Sequence, residues 1–425
     1  MAVTSVDDTG EIGRPLRLSA DVVWPARSAV VRDGAVLIDS WGRITAVGRE
    51  SDVPAPPGAR VVHVPDAVLL PGFVNAHTHL ELHGLRGQIG EDDFFAWIQH
   101  VRRAKEAVDA AGFVGAARAG LTEAWRCGAT YVMDTGTSGG SLRALEELGG
   151  AGVYFHEVIA PGADAAAAAT EDLARAVAAA APGAPRIRVG VSPHAPYSVS
   201  PDLYRRAVRW ARGRGLRLAG HVAESRAEWE FVVEGIGPFA ELWRRRGLPI
   251  PPRAASPVAQ LHRLGVLGPD FWAIHAVQLT ARDVTVLRET GTHVVACPRS
   301  NARHNHGVAP LGDLLRAGVP VALGTDSVAS VETMDILAEA RAAAELAGLS
   351  PVEALDLVAW GGGALMGDRI GLLNPGFWGD VVACAIGSET SAAGLADRIL
   401  EGGERGVLAT FVAGRCVYSA QGDYP

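Results

Sequence analysis

Two textures alternate along the chain. From Leu18 to Val64 short apolar runs are broken by turn residues: Ala29-Val30-Val31, Asp33-Gly34, Val36-Leu37-Ile38, Trp41-Gly42, then Ile44-Thr45-Ala46-Val47-Gly48. Asp-Gly between apolar runs is a hairpin signal, because both residues accept the positive φ of a tight turn. A proline- and glycine-containing cluster at 54–58 closes this stretch, which reads as a small β domain. Past residue 68 the rhythm becomes strand then helix, repeated. The run Val68-Leu69-Leu70 feeds Pro71-Gly72-Phe73-Val74-Asn75-Ala76-His77-Thr78-His79, and further strands are predicted at 129–134, 152–159, 186–191, 216–220, 271–274, 292–297 and 319–325. Helical text follows most of them, including 141–148 and an alanine-rich stretch at 165–181 with high helix propensity. Eight such units predict a closed parallel barrel. After two helices at 332–346 and 351–364, the strand-and-turn texture returns at 379–384 and 407–415. The expected fold is therefore α/β: a (β/α)8 TIM barrel (69–368) inserted in a small β-sandwich built from both termini (1–68 and 369–425). Residues 1–15 read as a loose tail.

Composition narrows what such a molecule does. With 425 residues, 48% hydrophobic and 20% charged, the chain can bury a large core. A net charge of -8 argues against a nucleic-acid partner. No apolar run approaches a spanning helix and the amino terminus is polar and acidic, so neither membrane association nor a signal segment is expected, and the cytoplasm is the expected compartment. Cys127, Cys297, Cys384 and Cys416 form no CxxC pair, which fits reduced thiols and excludes a zinc site of the cytidine-deaminase type. Lys105 is the only lysine and sits in an amphipathic helical stretch at 98–108. A metal pair bridged by a modified strand lysine, or Schiff-base chemistry, would have to use that residue. A small-molecule substrate is the expected partner, and a homodimer is the commonest assembly of soluble enzymes.

The chemistry gathers at the predicted strand ends. His77 and His79 are spaced i, i+2, which puts both imidazoles on one face of a strand. Two readings stand for that pair: buried histidines with ordinary hydrogen-bond partners, or two ligands of one metal ion. The later strands end in His194, His221, His275 and Asp326. Glu224 follows His221 at i+3, just past its strand. Each of these alone has a plain structural reading: a satisfied histidine, a helix cap, a loop carboxylate. Together they converge on the end of the barrel where barrel enzymes build their sites. Several N/O ligands without cysteine describe an open catalytic metal site rather than a structural zinc.

These residues also carry a resemblance. PGFVNAHTH, SPHAPYS at 192–198, HVAES at 221–225, IHAV at 274–277 and LGTDS at 323–327 resemble the amidohydrolase superfamily, within it the single-metal aminohydrolase branch. NPGFWGDVVA and the final FVAGRCVY are similar to that family's returning β segment. The resemblance implies His77, His79, His221 and Asp326 as ligands of one divalent metal, zinc first, with iron or manganese also suited to the donors. It implies Glu224 as proton shuttle, His275 and Asp326 as the groups orienting the attacking water, and His194 as a contact to a purine-like ring. The absence of a strand lysine agrees with the one-metal branch. Cys297-Pro298-Arg299-Ser300-Asn301 departs from the His-Asn-Pro-x-Ser-Asn text of methylthioadenosine/S-adenosylhomocysteine deaminases and is more similar to aminodeoxyfutalosine deaminases, which act in menaquinone biosynthesis. The implied activity is hydrolytic removal of an amino group from an adenine-type nucleoside, with 6-aminodeoxyfutalosine favoured. Alternatives keep the metal and change the substrate to methylthioadenosine, S-adenosylhomocysteine, another aminopurine, a triazine or imidazolonepropionate. A non-catalytic scaffold fits least, since every expected ligand is present.

Around this set the reading thins. Glu81 has two balanced readings, a ribose contact or a loop carboxylate. Arg299 either meets a substrate carboxylate or braces its loop, bracing being favoured. Phe94, Phe95 and Trp97 are expected in a core, and His304 and His306 on an exposed loop.

Overall fold

The computed structural model describes residues 13–27, 29–90, 93–180, 183–387 and 391–421, so most of the expected tail lies outside the described residues. Four strands come first: β1 (Leu16–Ala26), β2 (Ala29–Ile38), β3 (Ile44–Arg49) and β4 (Arg60–Pro71). Eight follow: β5 (Phe73–Thr78), β6 (Ala129–Gly136), β7 (Gly152–Val158), β8 (Ile187–Pro193), β9 (Leu218–Val222), β10 (Phe271–His275), β11 (His293–Ala296) and β12 (Val321–Leu323). The chain returns with β13 (Val381–Ala385), β14 (Val407–Val412) and β15 (Arg415–Ser419).

The strands from the two ends of the chain form one mixed seven-stranded sheet, ordered β15-β14-β13-β4-β1-β2-β3. Alternate residues on one face (Leu16, Leu18, Val36, Val381, Phe411) gather into one apolar core. In β4 a bulge at Asp66, with φ of 53°, lets Val62 and Val64 before it and Ala67 and Leu69 after it serve that same core. Asp33-Gly34 does not turn the chain, contrary to the hairpin signal. It lies within β2, where Gly34 leaves room for Val23: a Cβ there would stand 2.5 Å from Val23 Cγ2. The turn to β3 falls instead at Gly42, with φ of 76°, whose N–H donates to the Asp39 carbonyl at 3.0 Å.

The other eight strands form a parallel sheet in sequential order, β5 through β12. Its two ends meet in a bridge between Thr78 and Asp326, and the Asp326 N–H donates to the His77 carbonyl at 3.0 Å, so the barrel is nearly closed. β5 and β6 are buried at every residue, so neither alternates between apolar and polar faces. The apolar run Val68-Leu69-Leu70, expected to lead into the first barrel strand, belongs instead to β4, where it pairs with β13. Helices separate the strands, several with strong starts: Ser200 and a first-turn proline for Pro201–Arg212, a Thr280/Asp283 capping box for Ala281–Thr290. The helix expected at 351–364 is two, broken where Ala359 takes φ of -110° and ψ of -96°. The site residues below lie in one compact unit, Ala76–Gly120 with Met133–Thr333. No helix among the described residues is long and apolar enough to cross a membrane.

Candidate metal and catalytic site

Barrel closure brings the first candidate ligands together. His77 occupies the end of β5, His79 follows it, His221 lies on β9, and Asp326 stands just past β12. Ring centroids are 4.8 Å apart for His77 and His79, 5.1 Å for His77 and His221, and 5.4 Å for His79 and His221. Asp326 Oδ1 lies 3.4 Å from His77 Nε2 and 3.6 Å from His79 Nε2. Asp326 reaches this point with a φ of 62°, a strained backbone for a non-glycine residue.

The neighbours fix which nitrogen faces inward. His79 Nδ1 lies 2.9 Å from the Thr135 carbonyl and His221 Nδ1 lies 3.1 Å from the His194 carbonyl. A carbonyl only accepts, so each Nδ1 carries the proton and Nε2 keeps its lone pair for a ligand. His77 Nε2 is buried with no hydrogen-bond partner. Burial lowers the pKa of all three histidines, which holds them in the neutral, ligating form. Burial would raise the Asp326 carboxyl, but the His77 ring 3.4 Å away and the histidines around it outweigh that and hold the group well below its ordinary value. An orphaned inward nitrogen, neutral imidazoles and an ionised carboxylate suit a divalent metal. Ligand atoms of His77, His79 and Asp326 fall within 4.8 Å of one another, as do those of His77, His221 and His275.

Beside this cluster stands Glu224. Its loop is shaped by a second carboxylate: Glu228 Oε1 accepts the Ala223 N–H at 2.8 Å and Oε2 the Glu224 N–H at 2.7 Å. Glu224 Oε1 lies 3.4 Å from His275 Nε2. Burial pushes the Glu224 carboxyl up to about 7, against the opposing pull of His275, so it titrates where a proton shuttle is most useful. The backbone bends at His275, with φ of 75°, and Ala276, with φ of 49°. Val277 N–H then donates to the Ala223 carbonyl at 2.9 Å, tying the ends of β9 and β10 together.

A single segment after β11, the short helix Pro298–Arg303 and its exit, braces these groups. Ser300 Oγ donates to Asp326 Oδ2 at 2.6 Å, Asn301 Oδ1 lies 2.9 Å from His275 Nδ1, and His306 Nε2 lies 3.3 Å from Glu224 Oε1. His304 and His306, expected on an exposed loop, are 5% and 4% exposed. Phe94 and Trp97, from the helix Phe94–Glu106, cover them, with ring centroids 4.4 Å apart for Phe94 and His306 and 4.5 Å for Trp97 and His304. Phe94 and Trp97 belong to an apolar cluster with Phe239 and Trp243, and Phe95 packs against it.

The Glu81 side chain is fully buried and its oxygens are taken by groups of the chain. Lys105 Nζ donates to Oε1 at 2.8 Å, Thr137 N–H to Oε1 at 3.1 Å, and Ser138 N–H and Oγ to Oε2 at 3.1 and 2.5 Å. Burial raises its carboxyl, but Lys105 and these hydrogen bonds outweigh it and bring the pKa to about 2. His194 is half-buried, with Nδ1 2.7 Å from Ser198 Oγ and its ring 4.8 Å from that of His221. Arg299 is half-buried, its Nη1 3.5 Å from the Thr333 carbonyl. Glu157, a buried carboxylate near the end of β7, comes within ligand distance of His194 and His221. In the sequence it is one more residue of a strand, and its only signal is a charge beside His156 in a mostly apolar run.

Comparison with known proteins adds an independent line. The amidohydrolase family matches residues 68–417. The chain belongs to the amidohydrolase family. This amidohydrolase is 36% identical over 330 residues to the aminodeoxyfutalosine deaminase of Deinococcus radiodurans, covering 73% of this chain and 76% of that protein. It is 31% identical over 373 residues to the 5-methylthioadenosine/S-adenosylhomocysteine deaminase of Nitratidesulfovibrio vulgaris, covering 84% and 80%. Among solved structures, the zinc-bound adenosine deaminase of Xanthomonas campestris superposes with a TM-score of 0.80 at 27% identity, over 94% of this chain and 92% of that one. The amidohydrolase is thus a hydrolase of carbon–nitrogen bonds outside peptides, with a site suited to a divalent metal.

Proposed function

We propose that the protein is a hydrolytic deaminase of an adenine-type nucleoside, and that 6-aminodeoxyfutalosine is its substrate. The observation that carries the deaminase reading is Glu224: a buried carboxyl brought to about 7, beside His275 and next to a convergent His/Asp cluster. Support for the substrate comes from the Cys-Pro-Arg-Ser-Asn text and from 36% identity to an aminodeoxyfutalosine deaminase. His77, His79, His221 and Asp326 would hold one divalent metal, with zinc favoured. When bound, such a metal supplies a water whose pKa is lowered to about 7. Glu224 would accept a proton from the attacking water on a carboxylate oxygen and deliver it to the ring nitrogen beside the carbon under attack. Water adds at that carbon, the proton of the added hydroxyl passes to the amino group as the carbon–nitrogen bond breaks, ammonia leaves, and a carbonyl remains. His275 and Asp326 would hold the nucleophile in line, and His194 would contact the ring. Glu81, saturated by Lys105, Thr137 and Ser138, would shape the loop beyond His79 rather than bind ribose. The methylthioadenosine/S-adenosylhomocysteine reading keeps its place through the 31% identity noted above.

The test is metal content of the purified protein, with ammonia release from 6-aminodeoxyfutalosine, methylthioadenosine, S-adenosylhomocysteine, adenosine, guanine and a triazine. One divalent metal per chain and fastest release from 6-aminodeoxyfutalosine are expected. Glu224→Gln should keep the metal and lose about 10²–10⁴ in kcat. A metal-free protein unchanged by His77→Ala and Asp326→Ala would sink the metal-enzyme reading; ammonia only from non-purines would reject the nucleoside.

A further inference from the structure

The segment after β11 holds polar groups that the reaction above leaves unused. Both ring nitrogens of His304 and Nε2 of His306 are buried without a hydrogen-bond partner. The two imidazoles stack, centroids 5.4 Å apart, under Phe94 and Trp97. Leaving such nitrogens unsatisfied is costly, and for His306 a partner stands within reach. Its Nε2 is 3.3 Å from Glu224 Oε1, the oxygen that His275 Nε2 approaches to 3.4 Å from another strand end. The backbone pins His306 in place: its N–H donates to the Asn301 carbonyl at 2.9 Å, and its carbonyl accepts Gln278 Nε2 at 2.5 Å. Asn301 also holds His275 through its side chain, so both imidazoles flanking Glu224 are registered to one residue.

We propose that His306 is a positioning residue for Glu224. It donates Nε2–H to Oε1 and so holds the carboxylate on that side, leaving its other oxygen for the water and the substrate nitrogen. His304 acts behind it as packing, filling the space between His306 and Trp97. Burial that keeps both rings neutral agrees with this role, since a neutral His306 can carry its one ring proton on Nε2. A proton shuttle works only within hydrogen-bond reach of its target, and a misplacement of about 1 Å can cost about 100-fold.

The inference rests on the deaminase reading, and its test separates the two. His306→Leu keeps apolar packing on Phe94 but has no donor; His306→Gln restores an amide donor. Steady-state kinetics are measured on whichever nucleoside the unaltered enzyme deaminates, with metal content and thermal unfolding alongside. His306→Leu should lower kcat about 10- to 100-fold with KM changed less than about threefold and metal retained, and His306→Gln should recover most of the loss. Unchanged kcat, a loss that follows metal content or unfolding, or a glutamine variant no better than leucine would overturn it. If the unaltered enzyme deaminates nothing, the functional reading fails by itself. Crystal structures then decide the positioning: Glu224 in one rotamer with and without His306 overturns it, and a swung carboxylate supports it.

Discussion

Glu81 and Lys105 show how a single residue acts far from where sequence places it. They are 24 residues apart, and the only lysine of the chain is spent on a carboxylate that is fully buried. Removing one partner of such a pair strands the other, which typically costs about 3–5 kcal/mol. Lys105→Met should therefore destabilise the protein by about that much at pH 7, measured by urea unfolding. The pH dependence has a definite sign. Folded Glu81 stays ionised down to about 2, while the unfolded chain takes up that proton near 4.5. The pair's contribution is complete above about 4.5 and is lost as pH falls from there toward 2. The gap between Lys105→Met and the parent should shrink between pH 7 and pH 3.5; an equal gap at both would sink the ion-pair account. None of this was legible from sequence, because neither periodicity nor spacing links a loop glutamate to a lysine on the next helix.

At the scale of elements the decisive contact is between β5 and β12, where the barrel closes. Gly324 sits against β5 so closely that a Cβ there would stand 2.6 Å from His77 Cβ and 2.7 Å from its backbone nitrogen. Backbone cannot swing aside as a flexible side chain does, so Gly324→Ala must push the end of β12 away from His77. We expect a loss of about 1–3 kcal/mol, as in other overpacked sites, together with lower metal occupancy. Full metal content and unchanged unfolding would show that closure tolerates the methyl group. Elements are also where sequence reading worked best. Most barrel strands were legible as short, largely apolar stretches between helical text, although the run at 68–70 belongs to β4, and His77, His79, His221, His275 and Asp326 stood out as polar residues where such stretches end. The brace after β11 was illegible for the opposite reason. Ala302-Arg303-His304-Asn305-His306 has the composition of a solvated loop, and its burial comes from Phe94 and Trp97, about 200 residues earlier in the chain. Asp33-Gly34 misled because a positive φ serves a strand interior as well as a turn.

At the scale of the whole molecule, the convergence of strand-end imidazoles and a carboxylate predicts that stability depends on a bound metal. Ligand atoms of His77, His79 and Asp326 come within 4.8 Å of one another, as do those of His77, His221 and His275, and His77 Nε2 makes no hydrogen bond although Asp326 Oδ1 is 3.4 Å away. A ligand that binds only the folded chain stabilises it by RT ln(1 + [L]/Kd), about 4 kcal/mol at a thousandfold excess over Kd. Exhaustive chelation should therefore lower the unfolding temperature, and one equivalent of zinc should restore it. His77→Ala, which removes a proposed ligand, should show a smaller difference between chelated and zinc-loaded samples. Acid should close the gap only late. Burial lowers the pKa of His77, His79 and His221, so the ligating neutral form persists below the ordinary histidine value of 6.5. The zinc-dependent difference should remain at pH 6 and vanish only further into acid, as protons reach the imidazoles. A chelator without effect on unfolding at any pH, or a gap equally large in His77→Ala, would mean that the convergent strand ends are satisfied without a metal.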